Sequence, residues 1–172
     1  YTKRTDIPYK AKYLFEDATE AFTEDTYTGT FADTVTLSPK SALEGYVTPK
    51  DQTLLITADE ASNVSTFIYT PRTDLTYTIK CVDSANTPLE FVYEGAPSEN
   101  GTVTVEGATF KESYTVTAPS IDGYTPDEAT KTIQITSAAS NVLVFTYTSD
   151  TPATTSYTIT CTDTDGSPLA FE

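Results

Sequence analysis

The sequence has no histidine, no tryptophan and no methionine, and only two cysteines in 172 residues. Without histidine there is no ordinary base for a nucleophilic triad, and the commonest zinc ligand is missing. Cys81 and Cys161 stand eighty positions apart, so no clustered thiolate site is written either. Basic residues are scarce: 10 lysines and arginines face 25 acids, for a net charge of −15. Such a chain needs a basic patch before it can approach phosphate or an anionic membrane surface. Its one basic concentration, Lys3, Arg4, Lys10 and Lys12, is diluted by Asp6. No nucleic-acid partner is therefore expected. No apolar run reaches about eighteen residues, so no membrane-spanning helix and no membrane insertion are expected. No leader segment is visible, and the chain reads as a piece of something longer. A hydrolase built on paired carboxylates remains formally open, given 25 acids. No acid stands out on an inward-facing parity, so no enzyme is expected. No catalytic residue, cofactor or metal ligand is assigned.

What the chain has in excess is threonine, 36 residues, beside 12 tyrosines and 8 phenylalanines. Threonine is stiff at χ1 and fits a pleated, half-exposed surface. The composition reads as all-β, with a β-rich α+β class as the looser statement. A disordered, glycosylated stalk could share this composition, but regular alternation argues against it. Ile133 and Ile135 share one face of "TIQIT", while Thr132, Gln134 and Thr136 share the other. Leu54 and Ile56 occupy the matching places some eighty residues earlier. Leu143, Phe145 and Tyr147 alternate as Ser65, Phe67 and Tyr69 do, and Tyr114 with Val116 matches Val35 with Leu37. This period of two marks strands with one face in a core and one wet.

The alternation recurs in whole sentences. "YTIKCVD" (77–83) returns as "YTITCTD" (157–163), with "YKAKYLF" (9–15) as a looser version. The inward parity carries Tyr77, Ile79 and Cys81, then Tyr157, Ile159 and Cys161, then Tyr9, Ala11 and Tyr13. A turn follows each of the first two, "SANTPLEF" (84–91) and "TDGSPLAF" (164–171). Three copies are predicted: residues 1–72, residues 73–150, and 151–172 as the truncated start of a third. The joints "TPRTD" (70–74) and "TSDTPATTS" (148–156) are short, polar and proline-containing. The interval from Phe91 to Phe110 is ten residues longer than that from Phe22 to Phe31. The insert near 92–109 is predicted to be an added hairpin carrying Asn100-Gly101. Units of this size cover only about 60% of their unfolded surface. Short joints then favour units stacked end to end as a rod, for which small-angle scattering should give a long, thin particle.

The order "YTIKCVD…TPL…ESYTVTAPSIDGYTPDEATKTIQIT…NVLVFTYT" resembles the MucBP (mucin-binding protein) repeat of Gram-positive bacterial surface proteins. The resemblance covers essentially all of the second copy, most of the first and the start of the third. The first copy departs most, with Phe15 where the motif has Asp83 and no Pro-Leu in its turn. The resemblance implies β-grasp-like modules in tandem on a wall-anchored adhesin, extracellular and non-enzymatic. Its implied partners are mucin or other host or microbial glycans, together with neighbouring repeats. No sortase-type anchoring motif is present in the sequence. The alternative is a structural spacer or fibre-forming stalk whose binding function lies elsewhere.

A glycan binder needs exposed aromatic faces; Tyr27, Tyr46, Tyr93 and Tyr124 are the candidates. Tyr46 and Tyr124 sit in the most similar loops of the two copies, "EGYVTP" and "DGYTP". A Gly-Tyr pair after a turn is also a common plug over a core end, since tyrosine buries well while its hydroxyl stays wet. Smaller motifs have bland readings. "DTDG" (163–166) begins like a calcium loop but continues as "SPLAFE", which is a hairpin. Asn63 and Asn100 stand in sequons, which bacterial sequences often carry by chance. Lys80 and Asn141 could be imagined as a Lys–Asn cross-link between first and last strands, but their parities differ. Cys81 and Cys161 occupy equivalent places in consecutive copies, too far apart to bridge, and are expected to be unpaired.

Overall fold

Alternating apolar residues become strands here because each strand has a neighbour on one or both edges to pair with and a core on one face. The protein is represented by a computed structural model that describes residues 2–138, 140–151, 156 and 158–169. The first half of the chain forms β1 (Ile7–Phe15), β2 (Glu20–Gly29), β3 (Thr34–Leu37), β4 (Tyr46–Val47), β5 (Gln52–Leu55) and β6 (Val64–Pro71). The second half forms β7 (Leu75–Asp83), β8 (Val92–Tyr93), β9 (Ala96–Pro97), β10 (Thr102–Ala108), β11 (Ser113–Thr117), β12 (Tyr124–Pro126), β13 (Thr130–Gln134) and β14 (Val142–Ser149). Among the described residues the one helical element is a 3-10 turn at Glu60–Ser62. The fold class is all-β, and the α+β alternative drops out. The predicted inward position of Tyr157 lies outside the described residues.

The two halves share a topology. One sheet runs β2-β1-β6-β4 and the other β10-β7-β14-β12. In each, the first long strand lies parallel to the last: Tyr13 pairs with Phe67 and Cys81 with Phe145. The hairpins β3-β5 and β11-β13 bring Leu37 and Leu54, then Val116 and Ile133, against those strands. The first core holds Ala11, Tyr13, Leu37, Phe67 and Tyr69; the second is larger and includes Tyr77, Ile79, Cys81, Phe145 and Tyr147. Each large side chain buried this way contributes about 1.5–3 kcal/mol. Tyr69 and Tyr147 close their cores identically, donating to the carbonyls of Lys40 (2.9 Å) and Pro119 (2.5 Å).

The insert differs in detail from its expected form. The added hairpin is β8-β9, with its reverse turn at Glu94 and Gly95. Asn100 and Gly101 do make a two-residue turn, bridging Glu99 to Thr102, but the pairing stops there. The following strand, β10, is the sheet edge against β7, because its alternation sends Val103 into the core.

A buried asparagine latches each unit. Asn63 accepts from the amide and hydroxyl of Thr57 (2.9 and 3.0 Å) and donates to the carbonyls of Thr57 and Pro8 (2.9 and 3.3 Å). Asn141 repeats this with Thr136 (2.9 Å twice) and with the carbonyls of Thr76 and Thr136 (3.1 and 3.2 Å). Asn63 is fully buried, which leaves no room for a glycan. Asn141 is not brought to Lys80: Lys80 pairs with Val144, three positions further along β14.

The turn after the first long strand is also repeated. The Asp83 carboxylate accepts from the amides of Ala85 and Thr87 (both 2.8 Å), and Asp163 accepts from those of Asp165 and Ser167 (both 2.9 Å). Asp163 is thus a turn cap in a hairpin. In the first unit Phe15 occupies the place of Asp83, and Asp17 caps the turn through the Thr19 amide at 3.0 Å.

Cys81 stands where the first unit has Tyr13. Its Sγ donates weakly to Tyr147 Oη at 3.9 Å, and burial pushes the thiol up to about 11. Cys161 is half-buried, and neither cysteine is bridged. A thiol reagent at neutral pH should therefore label Cys161 first and Cys81 only on unfolding, since the thiolate is the reacting form. Mass spectrometry should find one label on the native protein and two in denaturant. Equal native rates for both would contradict the burial of Cys81.

Candidate functional site

Phe15, released from turn-capping by Asp17, is half-buried and turns toward β4. Its ring lies 4.8 Å from that of Tyr46. Tyr46 follows Gly45, whose φ of +82° lets the chain reverse tightly at the start of β4. On the other side of Tyr46 stands Phe110, centroids 5.3 Å apart and edge-on at 78°. Phe110 comes from the second unit, between β10 and β11. Lys111, beside it, donates from Nζ to Tyr46 Oη at 2.9 Å and lies 5.2 Å from the ring centroid. Three aromatic rings and one ammonium from two units thus meet at one joint.

Backbone holds this joint as well. The Arg72 amide donates to the Gly45 carbonyl at 2.9 Å, and Arg72 clasps Asp74 at 2.8 Å. Ser137 donates to the Glu44 carboxylate across the same joint. Packing leaves no slack at Gly45: a Cβ there would lie 2.5–2.6 Å from three carbons of the Phe110 ring.

Beside the rings opens a cleft of about 370 Å³ lined by Phe15, Glu16, Asp17, Thr19, Tyr46, Pro71 and Lys111. The Thr19 hydroxyl and amide hold the Asp17 carboxyl below its ordinary range, with Lys111 adding a smaller pull. The cleft therefore has an aromatic floor, a charged carboxylate and hydroxyl on one rim, and an ammonium on the other. That set can stack a flat apolar face and exchange hydrogen bonds with a polar rim, which is the usual make-up of a small-molecule site. No group of three or more acidic or cysteine side chains poised for a metal occurs among the described residues.

The four candidate tyrosines are not brought together. Tyr27, 39% exposed on β2, stacks on Tyr9 at 5.2 Å. Tyr93 on β8 and Tyr124 on β12 are half-buried and pack against the second core. Of the four, Tyr46 is the one that lines the 370 Å³ cleft. Its partners Phe15, Phe110 and Lys111 are not among the residues that the sequence marks as binding candidates. The signal for Phe15 was present, as the departure from Asp83 at that place; for Phe110 and Lys111 there was none.

Neither a family model nor a curated protein sequence matches the chain. Solved structures similar to it include the Bacillus anthracis TIE protein, at 13% identity and a TM-score of 0.45 over 84% of this chain and 34% of that one. The chain thus spans about a third of that protein's length. The type 2 repeat of the mucus binding protein MUB from Lactobacillus reuteri is 20% identical over 83% of this chain and 99% of that one, with a TM-score of 0.29. The minor pilin GBS52 of Streptococcus agalactiae is 11% identical over 91% and 88%, with a TM-score of 0.38.

Proposed function

We propose that the chain is a non-enzymatic repeat segment of a Gram-positive cell-surface adhesin, extracellular and wall-associated, that contacts mucin or other glycans. In this reading residues 1–72 and 73–150 are MucBP-like repeats, and 151–172 begin a third. The MucBP-like motif order supports the family. The observation that carries binding is the cleft beside Tyr46, where the Phe15 and Tyr46 rings meet Glu16, Asp17, Thr19 and Lys111. Sugars present just such mixed surfaces, an apolar ring face edged with hydroxyls. The spacer reading rests on a different observation: Tyr46 is flanked by rings on both sides, as a plug would be.

A glycan array separates the two. Glu16 is exposed, so Glu16→Ala should leave melting unchanged while weakening binding several-fold. Tyr46→Ala should abolish binding, and Tyr124→Ala should not. No glycan binding by the native chain would leave it a spacer, and binding indifferent to Glu16→Ala and Tyr46→Ala would rule out this cleft as the contact. Charge adds a further expectation. At −15 the surface repels sialylated and sulfated chains at long range, so neutral glycans should bind better at low salt. The preference should shrink as salt rises to about 0.5 M, where the Debye length is only a few ångström; a preference indifferent to salt would rule out this electrostatic origin.

A further inference from the structure

The cleft beside Tyr46 does not end at the joint. A second cleft of about 420 Å³ adjoins it, lined on the first unit by Val47 and Thr70 and on the second by Phe110 and Glu112. Glu16 and Pro71 line both clefts. Strand pairing explains the adjacency. Tyr46 pairs with Pro71 and Val47 with Thr70, so β4 gives Tyr46 to one cleft and Val47 to the other. β1 runs beside β6, with Phe15 paired to Tyr69, which sets Glu16 next to the end of β6. Phe110, edge-on to Tyr46, carries the groove onto the second unit. One groove thus runs from the Asp17 turn, across the joint, to Glu112.

The groove is acidic along its length. Glu16, Asp17 and Glu112 line it against a single cation, Lys111. That ammonium is already engaged, donating to Tyr46 Oη at 2.9 Å and lying 5.5 Å from the Phe110 centroid. Among the described residues none of the three carboxylates has an ion-pair partner. Asp17 spends Oδ1 on the Thr19 amide and hydroxyl, and Glu112 spends Oε2 on the Tyr114 hydroxyl at 3.1 Å. Asp17 Oδ2 and Glu112 Oε1 therefore keep their acceptor capacity, as does all of the exposed Glu16 carboxylate.

Resting on the glycan reading above, we propose that this groove binds an oligosaccharide of two or more units that carries free amino groups, with one unit in each cleft. A protonated amine brings three donors and no acceptor, which matches carboxylates that have acceptors to spare. It is also drawn to the faces of the Phe15, Tyr46 and Phe110 rings, against which the apolar face of the sugar packs. An acetylated amine loses the charge and two of those donors, and its carbonyl meets carboxylates instead. A sialylated unit brings like charge. A lysine side chain has the right charge but no ring face, and it loses rotamer freedom when held. The net charge of −15 steers any cationic chain toward the protein.

The test titrates the full 172-residue chain with glucosamine, its dimer and trimer, and their N-acetylated forms. At about pH 6 the sugar amine is protonated and the carboxylates are ionised. Calorimetry should find the glucosamine dimer about tenfold tighter than the monomer, and the acetylated dimer about tenfold weaker than the free amine. Asp17→Asn and Glu112→Gln should each weaken the dimer up to about fivefold, the range of an exposed ion pair. Val47→Lys, at a half-exposed position of the second cleft, should reduce the dimer to the affinity of the monomer. NMR shifts on binding should reach Phe110 as well as Tyr46. Acetylated and free forms binding alike overturn the proposal, as do equal affinities for monomer and dimer, or trilysine binding as tightly as the glucosamine trimer. If another glycan binds and Tyr46→Ala abolishes it while glucosamine oligomers show no preference, the amino-sugar assignment falls and the glycan reading stands. If no glycan binds at all, both fall.

Discussion

Asn141→Ala is expected to destabilise the second unit by about 3 kcal/mol, and Asn63→Ala to do the same to the first. Each carboxamide is nearly or fully buried and makes at least four hydrogen bonds. Removing Asn141 orphans the Thr136 amide, and the carbonyls of Thr76 and Thr136 lose their donor. A net hydrogen bond contributes about 1 kcal/mol, but a buried group left unpaired costs about 1–3 kcal/mol. The loss also reaches the sheet, because Asn141 ties the approach of β14 to the first residues of β7 at Thr76, and these two strands pair side by side in parallel. Urea unfolding should show the drop, and amide exchange at Thr136 should accelerate with it. A loss under about 1 kcal/mol would mean that water replaces the side chain, and that the latch is convenience and not a structural requirement.

The asparagines also show what the sequence could and could not disclose. Their equivalence was legible, because both precede strands with the same alternation, Ser65-Phe67-Tyr69 and Leu143-Phe145-Tyr147. One-sided cores make such alternation readable: Ser65, Phe67 and Tyr69 of β6 and Leu143, Phe145 and Tyr147 of β14 are buried, and the residues between them are not. The turns were legible too, since Asp83 and Asp163 cap by local bonds within four residues. The insert was half legible. Asn100-Gly101 advertises a reverse turn and makes one, but Glu94-Gly95 gives no comparable signal and carries the hairpin. The contact of Phe110 and Lys111 across the joint was not legible. Phe110 and Phe31 have the same local bonds, and only the presence of Gly45 opposite one of them decides which is covered. Local sequence fixes a corner; what packs on it depends on a residue some sixty-five positions away.

Gly45→Ala should therefore do far more damage than the matched Gly123→Ala. Both glycines are left-handed, at φ +82° and +76°, where an L residue costs about 1 kcal/mol. Gly123→Ala meets nothing within 4 Å among the described residues and should show that cost alone, a fall in Tm of about 4–8 °C for the unit that holds it. Gly45→Ala drives a methyl into the Phe110 ring at 2.5 Å. Neither side has slack: the Phe110 ring is edge-on to Tyr46, and Tyr46 is backed by Phe15. The ring must leave, taking Lys111 from the Tyr46 hydroxyl and from the rim of the cleft. Beyond the backbone strain, the joint then loses most of an aromatic's burial, about 1–2 kcal/mol. The units should uncouple, so that NMR alignment fits two independent bodies where the native protein fits one. Phe110→Ala should uncouple them too, without touching the backbone of the turn. Equal losses for Gly45→Ala and Gly123→Ala, with alignment unchanged, would show that the ring contact does not hold the units together.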